Sequence, residues 1–372
     1  MLRFPGNLPL LLLLLVWAAP AAAEPGDWRD ELSTLSLPEG FSISIYAEVP
    51  GARSLALGER TLFVGTRGTR VYAVRDLDRD GFGEDVLPLT EAMAQPNGVA
   101  FRGGDLYIAE IDRVTLLEDI EYRLTDPPFP RVVNDSFPED RRHGWKYIAF
   151  GPDGWLYVPV GAPCNVCAPP EPYAALHRMR PDGSGLQTVA RGIRNTVGFD
   201  WNPDTGVLWF TDNGRDWLGD ERPPDELNRA AEAGNHYGYP YCFGKNTPDP
   251  RYAGRVDCSR FTPAQVELPA HVASLGMRFV TGPMFPESMR GDILIAEHGS
   301  WNRTTPIGYR VTRVRLNEDD EPQGYEPFIS GWLNQETGQA WGRPVDLLRL
   351  PDGSMLLSDD EAGLVYRITY SP

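Results

Sequence analysis

The sequence predicts an all-β fold, a six-bladed β-propeller, and three observations carry that expectation. One hairpin unit recurs six times, turn-forming residues are abundant, and helical periodicity is weak throughout. Glycine and proline number 38 and 35 in 372 residues, about a fifth of the chain against roughly 12% in soluble proteins. Hydrophobic residues make up 41% and aromatics 11%, which supplies a sizeable core and excludes a disordered chain. Against 35 Lys and Arg stand 52 Asp and Glu, a net charge of −17. That excess repels phosphate backbones, so no nucleic-acid partner is expected.

The N-terminus reads first. Arg3, the apolar run at 8–16 and the small residues at 18–23 before Glu24 have the three regions of a secretory signal peptide, residues 1–23. An uncleaved anchor is the competing reading, but the run falls short of the about 20 residues a span needs. No later stretch is apolar enough for a membrane span, so residues 24–372 are read as one propeller domain, periplasmic or secreted.

Next, residues 41–49 alternate in the manner of a strand. The hairpins follow in order. Each pairs a first strand with a second of the form Leu-Tyr/Phe-Val/Ile across a turn. The second strands lie at 62–64, 106–108, 156–158, 208–210, 293–295 and 355–357. Turns are plainest at Gly103-Gly104, 152–154, 203–206 and 351–353, built from residues that tolerate positive φ. First strands precede them at 99–101, 148–150, 198–201 and 347–350. A sandwich pair would not repeat one hairpin six times. Sheets set around an axis would, because radial repetition protects their edges. The wide gap between Phe210 and Ile293 holds an insertion, about residues 215–275. The chain ends in a strand at 364–370, and the strand at 41–49 is expected to close the last blade as its outer edge.

Four cysteines allow three pairings. Local proximity favours the disulfides Cys164 with Cys167 and Cys242 with Cys258. A zinc site is the alternative, but the second pair is too widely spaced and the compartment is oxidising.

Loops that enter successive inner strands converge on one mouth of a propeller channel. Gln95 precedes the second blade, His143 the third, Arg194 and Asn195 the fourth, and Arg343 the sixth. A lone histidine is more often structural, and buried arginines tie blades together through carboxylates. The shared register supports a site instead. Carboxylates interleave with Asn, Gly and Pro at 211–216, 223–228 and 234–240, a pattern suited to a hard cation. Separately, Asp76, Asp78, Asp80 and Gly81 match the first six positions of a calcium loop, but position twelve is Leu87, which excludes an EF-hand. A minor calcium site and an Asx-rich turn both stay open there.

The run from His143 through 147–155 to Cys164 and Cys167 resembles the soluble quinoprotein sugar dehydrogenases, dependent on pyrroloquinoline quinone (PQQ). So do Arg194-Asn195, Asp225-Glu226 with Asn228, and the runs at 234–240 and 296–303, particularly in the sorbosone dehydrogenase-like branch. The resemblance extends from about residue 38 to the end. It implies a six-bladed propeller that oxidises an aldose or related carbohydrate, with PQQ and calcium as cofactors. His143 would be the general base. Gln95, Arg194, Asn195, Arg343 and Arg303 would contact the quinone. Asn213 and Gly214 would hold calcium through their carbonyls, with Asp225 and Tyr237 beside them. The electron acceptor implied is a cytochrome or a small quinone. Two positions depart from that pattern. Arg142 stands where an acid precedes the base, and the quinone-binding lysine has no clear counterpart, with His298 or Arg303 as candidates to substitute for it. A calcium-dependent lactonase and a non-catalytic binding propeller are the competing readings.

Overall fold

The computed structural model describes residues 26–372, so the signal peptide expected at 1–23 lies outside the described residues. Six four-stranded antiparallel sheets form the blades of a propeller. Their innermost strands are Ala52–Leu57, Gly98–Arg102, Ala149–Phe150, Phe199–Trp201, Ser274–Phe279 and Pro344–Arg349. The repeated second strands are Leu62–Thr66, Asp105–Ala109, Leu156–Val160, Leu208–Asp212, Ile293–Glu297 and Met355–Asp359. They are buried almost throughout because each is covered by neighbouring blades on both faces. Phe63 of the first blade, for example, packs with Leu106, Ile108 and Phe101 of the second. Apolar runs, rather than strict alternation, are the signature of such strands.

The first strand, Phe41–Glu48, pairs antiparallel with the last, Leu364–Tyr370, and so completes the sixth blade. Phe41 makes edge contacts with Phe285 and Phe328 of the fifth blade, sealing the junction. Three inner strands carry a bulge near their entry, between Ala52 and Leu55, Ser274 and Met277, and Pro344 and Leu347. Within residues 215–275, Asp225–Ala230 and Val266–Leu268 are the outer strands of the fourth blade. The extra chain between them carries a small hairpin, Cys242–Phe243 with Thr247–Pro248. Disulfides join Cys164 to Cys167 and Cys242 to Cys258. No helix among the described residues is long and apolar enough to cross a membrane.

Tyr366, fully buried in the closing sheet, donates its hydroxyl hydrogen to Asp359 Oδ2 at 3.0 Å and accepts from Trp332 Nε1 at 3.2 Å. Tyr366→Phe leaves both partners short of a bond at the ring junction. The expected loss is about 1–3 kcal/mol in urea unfolding; a change within experimental error would mean that these bonds do not hold the junction.

Candidate functional site

His143 lies in the loop that enters the third blade, with φ at +53°. That conformation swings its ring back over the neighbouring loop, where Nδ1 lies 2.7 Å from the Ala162 carbonyl oxygen. A carbonyl only accepts, so Nδ1 carries the proton and Nε2 presents a lone pair. Gly161 makes room: a Cβ there would stand 2.5 Å from that of His143. Burial, then the positive charge of Arg194 and, less, Arg142, depress the imidazole pKa to about 3. The ring is therefore neutral across the physiological range.

Arg194, only 4% exposed, is held from several sides. Its Nε donates to the Asn165 carbonyl at 3.1 Å, and Nη2 donates to Asn165 Oδ1 and to Asp216 Oδ2, both at 3.0 Å. Asn165 also accepts from the Asp216 amide at 2.8 Å. The loop closed by Cys164 and Cys167 thus serves as a clamp on this guanidinium. Asp216 Oδ2 accepts from Arg142 at 3.2 Å as well, so one carboxylate orients two cations. Both arginines, His143, Asn195 and Trp301 line a cavity of about 220 Å³.

A second, smaller cavity of about 30 Å³ lies beyond Arg194, lined by Asp212, Glu226, Tyr237 and Asn213 among others. Asp212 and Glu226 face each other across paired strands. Burial, then the charge of Asp212, pushes Glu226 up to about 8, and burial lifts Asp212 to about 7. A hard cation between such groups would restore their ionisation. Asp225 is differently placed. Its two oxygens accept from the Gly214 and Ser274 amides at 2.9 and 3.1 Å, fixing the turn through Asn213 and Gly214. The Tyr237 hydroxyl donates to the Arg229 carbonyl at 2.9 Å.

Across the mouth lies a second cationic group. Arg53, 1% exposed, bonds Asp360 Oδ2 at 2.7 Å, and Arg67 approaches the same oxygen at 3.3 Å. His298 Nε2 donates to Asp360 Oδ1 at 2.7 Å, with burial holding its pKa down to about 4. Arg343 donates to the carbonyls of His298 and Gly299 at 2.9 and 2.8 Å. Arg53 lies 4.3 Å over the ring of Trp145, two residues beyond His143, which links the two groups. Its Nη2 is buried without a partner, an orphan donor that an anionic ligand would satisfy.

The structure thus brings His143, Arg194, Asn195, Asn213, Gly214 and Asp225 to one cavity and places Arg343 in the cluster across the mouth. Gln95, at φ +52°, turns the entry to the second blade. Arg303 lines another cavity, with its guanidinium bonded to Glu221 Oε1 at 2.7 Å and to the Asp220 and Ala270 carbonyls. Arg53, Arg67, Trp145 and Asp360 escaped sequence reasoning because they meet only once the ring is closed. Glu226 fell within the carboxylate run at 223–228, but its pairing with Asp212 is set by strand register and left no local mark. At the first blade, Asp76, Asp78 and Glu84 come together, while Asp80 caps the Phe82 amide.

Residues 181–371 match the TrAA12-like family. A Borreliella burgdorferi protein of uncharacterized function is 31% identical over 353 residues, covering 91% of each chain. A calcium structure of carbohydrate-active enzyme family AA12 from Trichoderma reesei superposes with a TM-score of 0.79 at 20% identity, covering 91% of this chain and 97% of that one. The PQQ domain of Coprinopsis cinerea pyranose dehydrogenase gives 0.77 at 18%, covering 90% and 97%. The soluble aldose sugar dehydrogenase of Escherichia coli gives 0.66 at 18%, covering 89% and 99%. At these identities the three structures speak to the fold alone.

In an NMR titration His143 should stay neutral until pH falls to about 3, while an unperturbed histidine protonates near about 6.5. The unfolded chain takes up that proton first, so this group's share of stability is lost as pH falls between those values. Arg142→Ala, which removes one cation, should raise the His143 pKa. A His143 transition near 6.5 would contradict the placement.

Proposed function

This chain belongs to the TrAA12-like family, and from that premise we propose that it is a PQQ- and calcium-dependent dehydrogenase oxidising an aldose or related carbohydrate. One observation carries the reading. His143 is held as a neutral imidazole by the Ala162 carbonyl, with a free Nε2 in a cavity flanked by Arg142 and Arg194.

The donor set suits the cofactor. PQQ is a planar tricarboxylate, and Arg142, Arg194, Arg53, Arg67 and Arg343 surround the mouth, one with an orphan nitrogen. The small cavity offers Asp212 and Glu226 to a cation. Once bound, the quinone would supply a carbonyl carbon able to accept hydride, and calcium held by the acidic residues would polarise that carbonyl.

The chain's own residues do the rest. His143 Nε2 accepts the proton of the substrate hydroxyl while the carbinol hydrogen leaves as hydride. The Ala162 carbonyl keeps the ring in the required tautomer and stabilises the imidazolium as it forms. Arg142 and Arg194 oppose that imidazolium, and an anionic ligand seated beside them would cancel much of their effect. The base therefore strengthens when the site is loaded. Asn195 lines the same cavity with a neutral amide. Asn213, Gly214 and Asp225 line that cavity too, as candidate supports or ligands of the cofactors, with Tyr237 in the smaller one. Gln95 turns the second entry loop, and Arg303 is taken up by Asp220 and Glu221. A hydrolase of the lactonase type would want an acidic cage on the channel axis, and the arginines of the mouth disfavour it. Two disulfides suit a periplasmic or secreted setting. The net charge of −17 suits a basic electron acceptor such as a cytochrome.

His143→Ala should lower sugar-dependent dye reduction about 10²–10⁴-fold while the protein still takes up the quinone. Persistent turnover would remove His143 as the base. Calcium at about 100 times its Kd should stabilise the wild type by about 2.7 kcal/mol, and Glu226→Gln should lose most of that gain. An unchanged gain would place the ion elsewhere.

A further inference from the structure

Two tryptophans stand at the lip of the His143 cavity, although large aromatic side chains are normally the first to be buried. Trp217 is 68% exposed and Trp301 is 63% exposed. Their rings meet edge to face, with centroids 5.2 Å apart and planes at 85°. They come from different blades: Trp217 follows the second strand of the fourth and Trp301 that of the fifth.

Their meeting is built. Arg303, two residues past Trp301, donates to Glu221 Oε1 at 2.7 Å and to the Asp220 carbonyl of the loop that carries Trp217. The Thr304 amide donates to Asp220 Oδ2 at 3.0 Å, and His271 Nε2 donates to the Gly219 carbonyl at 2.9 Å. Trp217 itself sits at φ +67°, a conformation a bulky side chain adopts only when its surroundings impose it. Asn302, next to Trp301, lines the same cavity, and its Oδ1 and Nδ2 are both buried without a partner. An amide with its acceptor and both donors unmet is matched by neighbouring hydroxyl groups, each of which donates and accepts.

We propose that Trp301 and Trp217 form a stacking platform for a saccharide of two or more rings, with Asn302 reading hydroxyl groups of the inner ring. The proposal rests on the carbohydrate reading above and narrows it to oligosaccharides. The ring to be oxidised lies against Trp301, within the cavity shared with His143. The next ring lies outward against Trp217. Trp301 meets the edge of Trp217, and the Asn302 amide next to it in the chain would be uncovered to bond the inner ring. Arg303 is a positioning residue that keeps the two loops in register.

The test titrates glucose, cellobiose and maltotriose into the full chain, with and without PQQ and calcium, following tryptophan fluorescence and calorimetric heat. The two- and three-ring sugars should bind up to about tenfold more tightly than glucose, the range of one aromatic contact. Trp217→Ala should abolish that advantage, bringing the two- and three-ring sugars down to the affinity that the same variant has for glucose. Trp301→Ala should weaken all three sugars about tenfold, as a rise in KM with kcat retained, and Trp301→Phe should restore most of the loss. Equal affinity of all variants for every sugar, or no saccharide binding by the wild type in either state, overturns the platform. Sugar oxidation that ignores both tryptophans overturns the platform alone, whereas tryptophan-dependent sugar binding without quinone uptake supports it and overturns the dehydrogenase reading.

Discussion

Pairing of Phe41–Glu48 with Leu364–Tyr370 turns six sheets into a ring, and the charged mouth of the channel exists only because of it. Closure sets the sixth blade against the first. Ser358 Oγ then donates to the Arg53 carbonyl at 2.5 Å, and the Leu55 amide to Asp346 Oδ2 at 2.9 Å. Arg53 reaches Asp360, 307 residues along the chain, by the same juxtaposition. Loop-closure entropy makes such distant contacts costly to form one at a time. Strand pairing makes them available together.

Electrostatics then divide the mouth. The chain carries 52 acidic residues against 35 basic ones, yet arginines crowd the channel entrance. Each buried guanidinium is matched to a carboxylate: Arg53 to Asp360 and Arg194 to Asp216. A buried charge left unmatched would be strongly destabilising. Asp216 and Asp360 are nonetheless shared, the first with Arg142 and the second with Arg67 and His298. More positive charge than negative therefore faces the opening on these two sides, which favours an anion there. Beyond Arg194 the balance reverses, with Asp212, Asp225 and Glu226 all buried and their pKa values all raised by burial. A cationic mouth and an acidic cavity thus share one guanidinium as their wall.

Blade architecture was legible because hairpins leave local marks. Alternation, apolar second strands and Asp-Gly turns all act within a dozen residues, and the six second strands expected at 62–64 through 355–357 are the six observed. The entry loops were legible by their register, which is why His143, Arg194 and Asn195 could be named together from the chain alone. Contacts between blades left no such mark. Arg53 reads as an ordinary strand residue until Trp145 and Asp360 surround it. Asn165 reads as loop filler between two cysteines until its amide is seen gripping Arg194 and Asp216. Arg303 carried the right chemistry for an anion, but its loop aims it at Asp220 and Glu221, and no local pattern encodes that direction.

The central claim, a quinone held over His143 and reduced by a carbohydrate, is tested most directly by absorption spectroscopy. Purified protein would be titrated with PQQ in the presence of calcium and then supplied with sugar. A spectral shift that saturates at equimolar quinone, followed by the reduced spectrum when saccharide is added, is the expected result. A quinone spectrum that the protein leaves unchanged, or a bound quinone that no saccharide reduces, would contradict it.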